Sequence, residues 1–328
     1  MDRHGGRDPG ADLKRAIVLV AALAAAVALG LGLYADFGRL RDELASFRWQ
    51  LFPLALGLTA LNYLLRFWRW QRYLGRLEIV VPPGRSFAIF VAGLTMTITP
   101  AKLGEVLKCG LLKRSFAVPV RRTAPIVLAE RVTDATGVVV LAVAGGAGTS
   151  RWPLIALALA GVAVIVVVVR SGLLDRFGRL GEAPERARAL LETRLLVGMT
   201  VLSAASWLCE CLAAYVCVRG LHIDLSLADT IVVFSLGSLA GALSFLPGGL
   251  GVAETSMTGL MRILGDVPKA SAAAAIVLIR VATLWFAVAL GLVGLAVEER
   301  LARSQRIREE QAVSASGADG RTSRARPS

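Results

Sequence analysis

Two short stretches carry residues that could do chemistry inside an otherwise apolar chain. The first is TITPAKLGEVLK, residues 97–108, and the second is SFLPGGLGVAET, residues 244–255. Each interrupts a hydrophobic run with a proline and places a carboxylate, Glu105 or Glu254, seven or fewer positions or so beyond it (roughly two helical turns). Pro100 can take the first position of a helix capped by Thr99, where its missing N–H costs nothing. The free N–H groups of such a turn, with the helix dipole behind them, favour an anion. In the second stretch Pro247 precedes Gly248, Gly249 and Gly251, which permit a sharp turn and close approach of a ligand. Irregular backbone at membrane depth is tolerated only where protein buries it or a cavity adjoins it. A kink packed against neighbours is the plain alternative; the doubling of the break favours a site.

The ionisable residues follow the breaks. Lys102, Glu105 and Lys108 are spaced three apart and share part of one helix surface. ERVTD places Glu130, Arg131 and Asp134 together by the same geometry, while Glu210 and Arg280 stand alone in the middle of apolar runs. Adding Arg66 balances the set, with Arg66, Lys102, Lys108, Arg131 and Arg280 against Glu105, Glu130, Asp134, Glu210 and Glu254. A charge at the centre of a membrane helix costs about 2.5–3.5 kcal/mol on insertion scales, so each should face a partner or a cavity. Two readings stand side by side: ion pairs between helices, and a polar path for a charged headgroup. Asn62, Arg66 and Arg69 form another stripe, readable as a gate or as arginines reaching for lipid phosphates.

Other chemistries find little support. Cys109, Cys209, Cys211 and Cys217 lie in apolar segments without a C-x-x-C pair, and the histidines are His4 and His222. No zinc or haem constellation follows, so no cofactor or metal is expected, and the cysteines read as small packing residues. The membrane region offers no Ser–His pairing. A net charge of +13 suits arginine-rich cytoplasmic loops near anionic lipid. Nucleic acid is not an expected partner, because basic and aromatic residues do not interleave.

The elements that must position these residues are membrane helices. The chain is 55% hydrophobic with a mean hydropathy of +0.64. Apolar runs at 16–34, 51–65, 153–169, 195–218 and 270–297 suit bilayer-spanning helices of roughly 20 residues. Lys14 and Arg15 precede the first run, which is longer than a signal-peptide core and is expected to remain as a helix. The fold class is therefore all-α and polytopic. If the broken segments, about 86–112 and 229–261, each dip in and return, six full transmembrane helices remain beside two re-entrant hairpins. Both termini then lie in the cytoplasm, with 25 lysines and arginines inside and 7 outside. The positive-inside rule favours that arrangement. The 170–194 loop, with Leu173, Leu174, Phe177 and Leu180 among its arginines, reads as an interfacial element. Residues 1–13 form a cytoplasmic segment, 14–298 the membrane domain, and 299–328 a basic cytoplasmic tail whose composition predicts disorder.

The membrane domain also repeats. Residues 75–94 align loosely with 219–238; Pro100 matches Pro247, Glu105 matches Glu254, and Arg131 matches Arg280. Asn62 falls near the position matching Glu210. The units, about 50–148 and 195–297, would enter from opposite sides. Inverted pairs of this kind commonly bind substrate near the midplane, at broken helices.

The order TPAKLGEVLKCGLLKR, ERVTD, FLPGGLGVAET resembles the lysylphosphatidylglycerol synthase transmembrane-domain family of flippase-like membrane proteins, over about residues 14–298. The resemblance implies a bacterial cytoplasmic-membrane protein that moves or handles phospholipids or polyprenyl-phosphate-linked lipids. By position the family motifs fall on Pro100, Gly104 and Glu105; on Glu130, Arg131 and Asp134; and on Pro247, Gly248, Gly249, Gly251 and Glu254. Ala101–Lys102 departs from the glycine–arginine common in relatives. With only about 30 residues after its last span, this polypeptide is not expected to aminoacylate lipid. The expected function is lipid translocation with an anionic or polyprenyl-phosphate lipid as partner. The alternatives are an intramembrane lipid-phosphate enzyme and a non-catalytic partner of a lipid synthase or glycosyltransferase.

Overall fold

The structure is a computed structural model and describes residues 36–98, 104–146, 192–244 and 246–322, with isolated positions 156, 189 and 190. Its elements are helical, and no strand occurs among the described residues. In chain order they are α1 (Phe37–Ser46), α2 (Phe52–Arg76), α3 (Pro83–Gly93), α4 (Gly104–Phe116), α5 (Val120–Gly146) and α6 (Thr193–Gly220). Then follow α7 (Leu227–Leu243), α8 (Val252–Gly265), α9 (Lys269–Arg280) and α10 (Phe286–Thr322). A π-helical segment, Val281–Trp285, joins α9 to α10.

Among the described residues, Trp49–Arg76, Thr193–Gly220 and Lys269–Gln305 are long and apolar enough to cross a membrane. They coincide with the runs at 51–65, 195–218 and 270–297. The runs at 16–34 and 153–169, apart from isolated position 156, and the 170–194 loop, apart from positions 189, 190 and 192–194, fall outside the described residues; Thr193 and Arg194 already belong to α6. The last helix continues to Thr322, through the tail whose composition predicts disorder. Glu, Arg, Gln and Ala in that tail extend a helix at little cost once α10 has nucleated it.

The second broken segment reverses the chain. Along α7, Gly237 lies against Met257 of α8 and Gly241 against Ala253, so the partner numbers fall as the glycine numbers rise. That order is antiparallel. A Cβ at Gly241 would stand 2.7 Å from the Ala253 Cβ, so this G-x-x-x-G serves close packing within the hairpin. In the first half, α3 touches α4, and α3 with the 3₁₀ turn after it (Leu94–Ile98) runs along α10. A Cβ at Gly291 would come within 2.1 Å of Thr95 N, and one at Gly294 within 2.7 Å of Ala92 N.

The same backbone devices occur in both halves. After α2, Glu78 N–H donates to Gly75 O and Ile79 N–H to Leu74 O; after α6, His222 N–H donates to Arg219 O and Ile223 N–H to Val218 O. These are Schellman ends, with Glu78 (φ 54°) and His222 (φ 60°) in the left-handed region. After α4 and α8, Ala117 (φ 54°) and Asp266 (φ 47°) repeat that conformation. Each is followed by Val-Pro and a new helix.

Helix α2 packs on α6, and α5 lies across α6 and α7. Apolar side chains form two clusters. One holds Trp207, Cys211, Cys217, Met257 and Ile276; the other holds Trp70, Tyr73, Ile89, Leu112 and Ile126. The four cysteines are buried free thiols, as packing residues should be.

Candidate functional site

The two breaks meet. The turn Leu94–Ile98 contacts the second turn, Pro247–Gly249, and a Cβ at Gly248 would lie 3.5 Å from Ile98 Cα. Gly248, Gly249 and Gly251 have φ of 63°, 68° and 85°, a region that penalises any side chain. Gly249 is required twice over, because its Cβ would stand 2.8 Å from Gly241 Cα.

Beside these turns lies a cavity of about 250 Å³. Leu94 and Thr97 line it from the first turn, and Gly248 and Gly249 from the second. Arg66 of α2, Arg131 of α5 and Arg280 of α9 reach it, together with Glu210 of α6. Apolar walls keep the local dielectric low, so these charges act strongly on anything that enters.

Specific partners hold the charges around the cavity. Glu254, at the third position of α8, reaches back so that Oε2 accepts the Gly251 N–H at 2.6 Å. Its Oε1 stands 2.6 Å from Arg280 Nε, with both residues buried. That contact lies off the N–H direction, so charge rather than a hydrogen bond holds it. Arg280 Nε and Nη2 have no hydrogen-bond partner among the described residues. The N-terminus of α8 thus holds its own carboxylate, and Arg280 beside it faces the cavity; the Thr99–Pro100 helix start expected to favour an anion lies outside the described residues.

Arg66 is held from three sides. Its Nε donates to Asn62 Oδ1 at 3.0 Å, Nη1 lies 3.5 Å from Asp134 Oδ2, and its guanidinium sits 5.0 Å over the Trp207 ring. Asn62 Nδ2 in turn donates to Glu210 Oε1 at 2.6 Å. Asp134 Oδ1 accepts from Arg69 Nη1 at 2.5 Å and from Ser203 Oγ at 2.7 Å. Arg69 is 2% exposed, so it is a buried strut and does not reach for lipid phosphates. On the far wall Tyr63 donates its hydroxyl to Thr283 O at 2.8 Å, inside the π-helical segment. Such segments free a carbonyl from the ladder and recur at functional sites.

A family model described as the lysylphosphatidylglycerol synthase TM region matches residues 19–291. The chain belongs to this family. It is an integral membrane protein. Two alignments with UPF0104 membrane protein sequences of Methanothermobacter thermautotrophicus (strain Delta H) agree with the assignment. One is 40% identical over 91 residues, 28% of this chain and 27% of the relative. The other is 28% identical over 280 residues, 71% of this chain and 82% of the relative.

In this family member the residues singled out from the sequence divide into three groups. Arg131, Glu210, Gly248, Gly249 and Arg280 line the cavity, with Glu254 behind Arg280 and Pro247 and Gly251 shaping the turn. Lys108 and Glu130 do not line it. They form a buried pair, Nζ to Oε2 at 2.8 Å, with the ammonium 4.4 Å over the Trp70 ring. Asp134 acts through Arg66 and Arg69. ERVTD therefore serves two purposes: one member faces the cavity and two face ion-pair partners. Pro100 and Lys102 fall outside the described residues, and α4 begins at Gly104, with Glu105 next in the helix. Sequence reasoning missed Tyr63, Trp207 and Thr283, which are ordinary residues of apolar helices until packing assembles them. The paired Val-Pro steps at 118–119 and 267–268 recur at the offset that separates Arg131 from Arg280.

Proposed function

We propose that this protein is a lipid translocase of the cytoplasmic membrane, a transporter and not an enzyme. The observation that carries the reading is the cavity between the two breaks, faced by Arg66, Arg131 and Arg280. An anionic headgroup would place its phosphate there while its chains stay in lipid. The family name ties its members to lysylphosphatidylglycerol synthase, which supports a phospholipid or polyprenyl-phosphate lipid as cargo. Matched turns, matched left-handed residues and touching breaks support an inverted repeat with two re-entrant hairpins. The arginine distribution supports cytoplasmic termini.

The test is a headgroup-accessibility assay in liposomes containing the purified protein and a labelled anionic lipid. Wild type should expose the inner-leaflet label to an external quencher. Arg280→Ala and Glu254→Gln should each abolish this while remaining folded and inserted. Wild-type rates in both variants would refute the reading.

A further inference from the structure

Arg280 belongs to two structures at once: the wall of the cavity and the lock on the second break. Its atoms Nε and Nη2 share one edge of the guanidinium, the edge that meets two oxygens of a single oxyanion with parallel hydrogen bonds. Both atoms are buried without a hydrogen-bond partner among the described residues, in a residue only 8% exposed. The fork therefore makes no hydrogen bond, and its Nε is met only by the Glu254 carboxylate in an ion pair. Glu254 is close enough to neutralise it and badly placed to fill it. Its Oε1 is 2.6 Å from Nε yet makes no hydrogen bond, while Oε2 accepts the Gly251 N–H of the break.

We infer that the Arg280 fork receives a two-oxygen oxyanion of phosphate type, and that Glu254 is its resident competitor. The inference rests on the translocase reading only for the source of that phosphate. With the cavity empty, Glu254 compensates the buried guanidinium, which would be costly to leave alone. An entering phosphate takes both donors and leaves Glu254 its backbone bond. On departure the carboxylate restores the pair, so release never strands an unpaired cation. A lysine cannot replace the fork, since an ammonium is a point charge without parallel donors.

The test uses the full chain in nanodiscs of zwitterionic lipid, with three probes: short-chain phosphatidylglycerol, sn-glycerol 3-phosphate and a short-chain diacylglycerol. Glutamine at 254 still accepts the Gly251 N–H but carries no charge. Glu254→Gln should bind phosphatidylglycerol about tenfold tighter than wild type, the gain from removing one modest charge competitor. Transport should fail in the same variant, because the anion is held. Arg280→Lys should bind the same probe at least about tenfold weaker. A parallel gain for glycerol phosphate would assign the fork to phosphate esters generally; a gain for the lipid alone would assign it to the lipid headgroup. Diacylglycerol should bind all three proteins alike. Glu254→Gln binding both phosphates no tighter than wild type, or Arg280→Lys binding them equally well, would overturn the inference. Tighter binding in Glu254→Gln with no translocation by wild type would strike the translocase reading and leave the fork standing.

Discussion

Asn62, which falls near the position matching Glu210, is bonded directly to it, Nδ2 to Oε1 at 2.6 Å. Equivalent residues of an inverted pair can touch only near the axis that relates them. The contact thus marks where such an axis would run, between α2 and α6 and beside the cavity. It also joins the halves electrostatically, because Asn62 holds Arg66 with its other amide atom.

The inverted arrangement predicts that Lys113 and Arg262, at the ends of α4 and α8, face opposite sides of the membrane. Both are exposed. In a background lacking the four native cysteines, a cysteine at 262 should react with an impermeant external thiol reagent. One at 113 should react only after permeabilisation. External labelling at both sites would exclude opposed hairpins.

The Asp134 cluster should be a strong stabiliser. Asp134→Ala leaves the buried Arg69 without its hydrogen-bonded countercharge, at a cost of about 3–5 kcal/mol. Arg76→Ala removes a pair whose side chains are 49% and 54% exposed, and should change stability by no more than about 1 kcal/mol. Unfolding in detergent compares them; equal losses would contradict the assignment.

Overpacking should expose the hairpin contact. A Cβ at Gly237 would stand 2.3 Å from Met257 Cγ, in a side chain that can rotate away, whereas one at Gly291 would meet Thr95 backbone at 2.1 Å. Gly291→Ala should therefore destabilise more than Gly237→Ala, by a further 1 kcal/mol or so on the scale of core overpacking. Thermal unfolding with intrinsic tryptophan fluorescence can rank them, and the reverse order would mean that α10 yields more easily than Met257.

Selectivity should follow the cavity arginines. Anionic lipid should outcompete zwitterionic lipid in native mass spectrometry, and Arg131→Ala should reduce that preference. Arg72→Ala should not, because Arg72 lies outside the cavity over the Trp68 ring, at 5.0 Å. Equal retention of both lipids by wild type would show that the arginines serve architecture alone.

The sequence by itself determined the membrane class, the place of both breaks and the list of charges that must be compensated. Those follow from local properties: apolar run length, proline and glycine backbone limits, and the cost of charge in lipid. It also displayed the recurrence, since Arg131 and Arg280 keep the offset of their Val-Pro steps. Which charge faces which partner was decided by tertiary structure alone. Lys108 and Arg131 look equivalent along the chain, yet one is sealed against Glu130 and the other lines the cavity. The selection of Tyr63, Trp207 and Thr283 belongs to the same level. The reason is geometric: helical spacing says which residues share a face, whereas the crossing of α2, α5, α6 and α9 decides what that face meets.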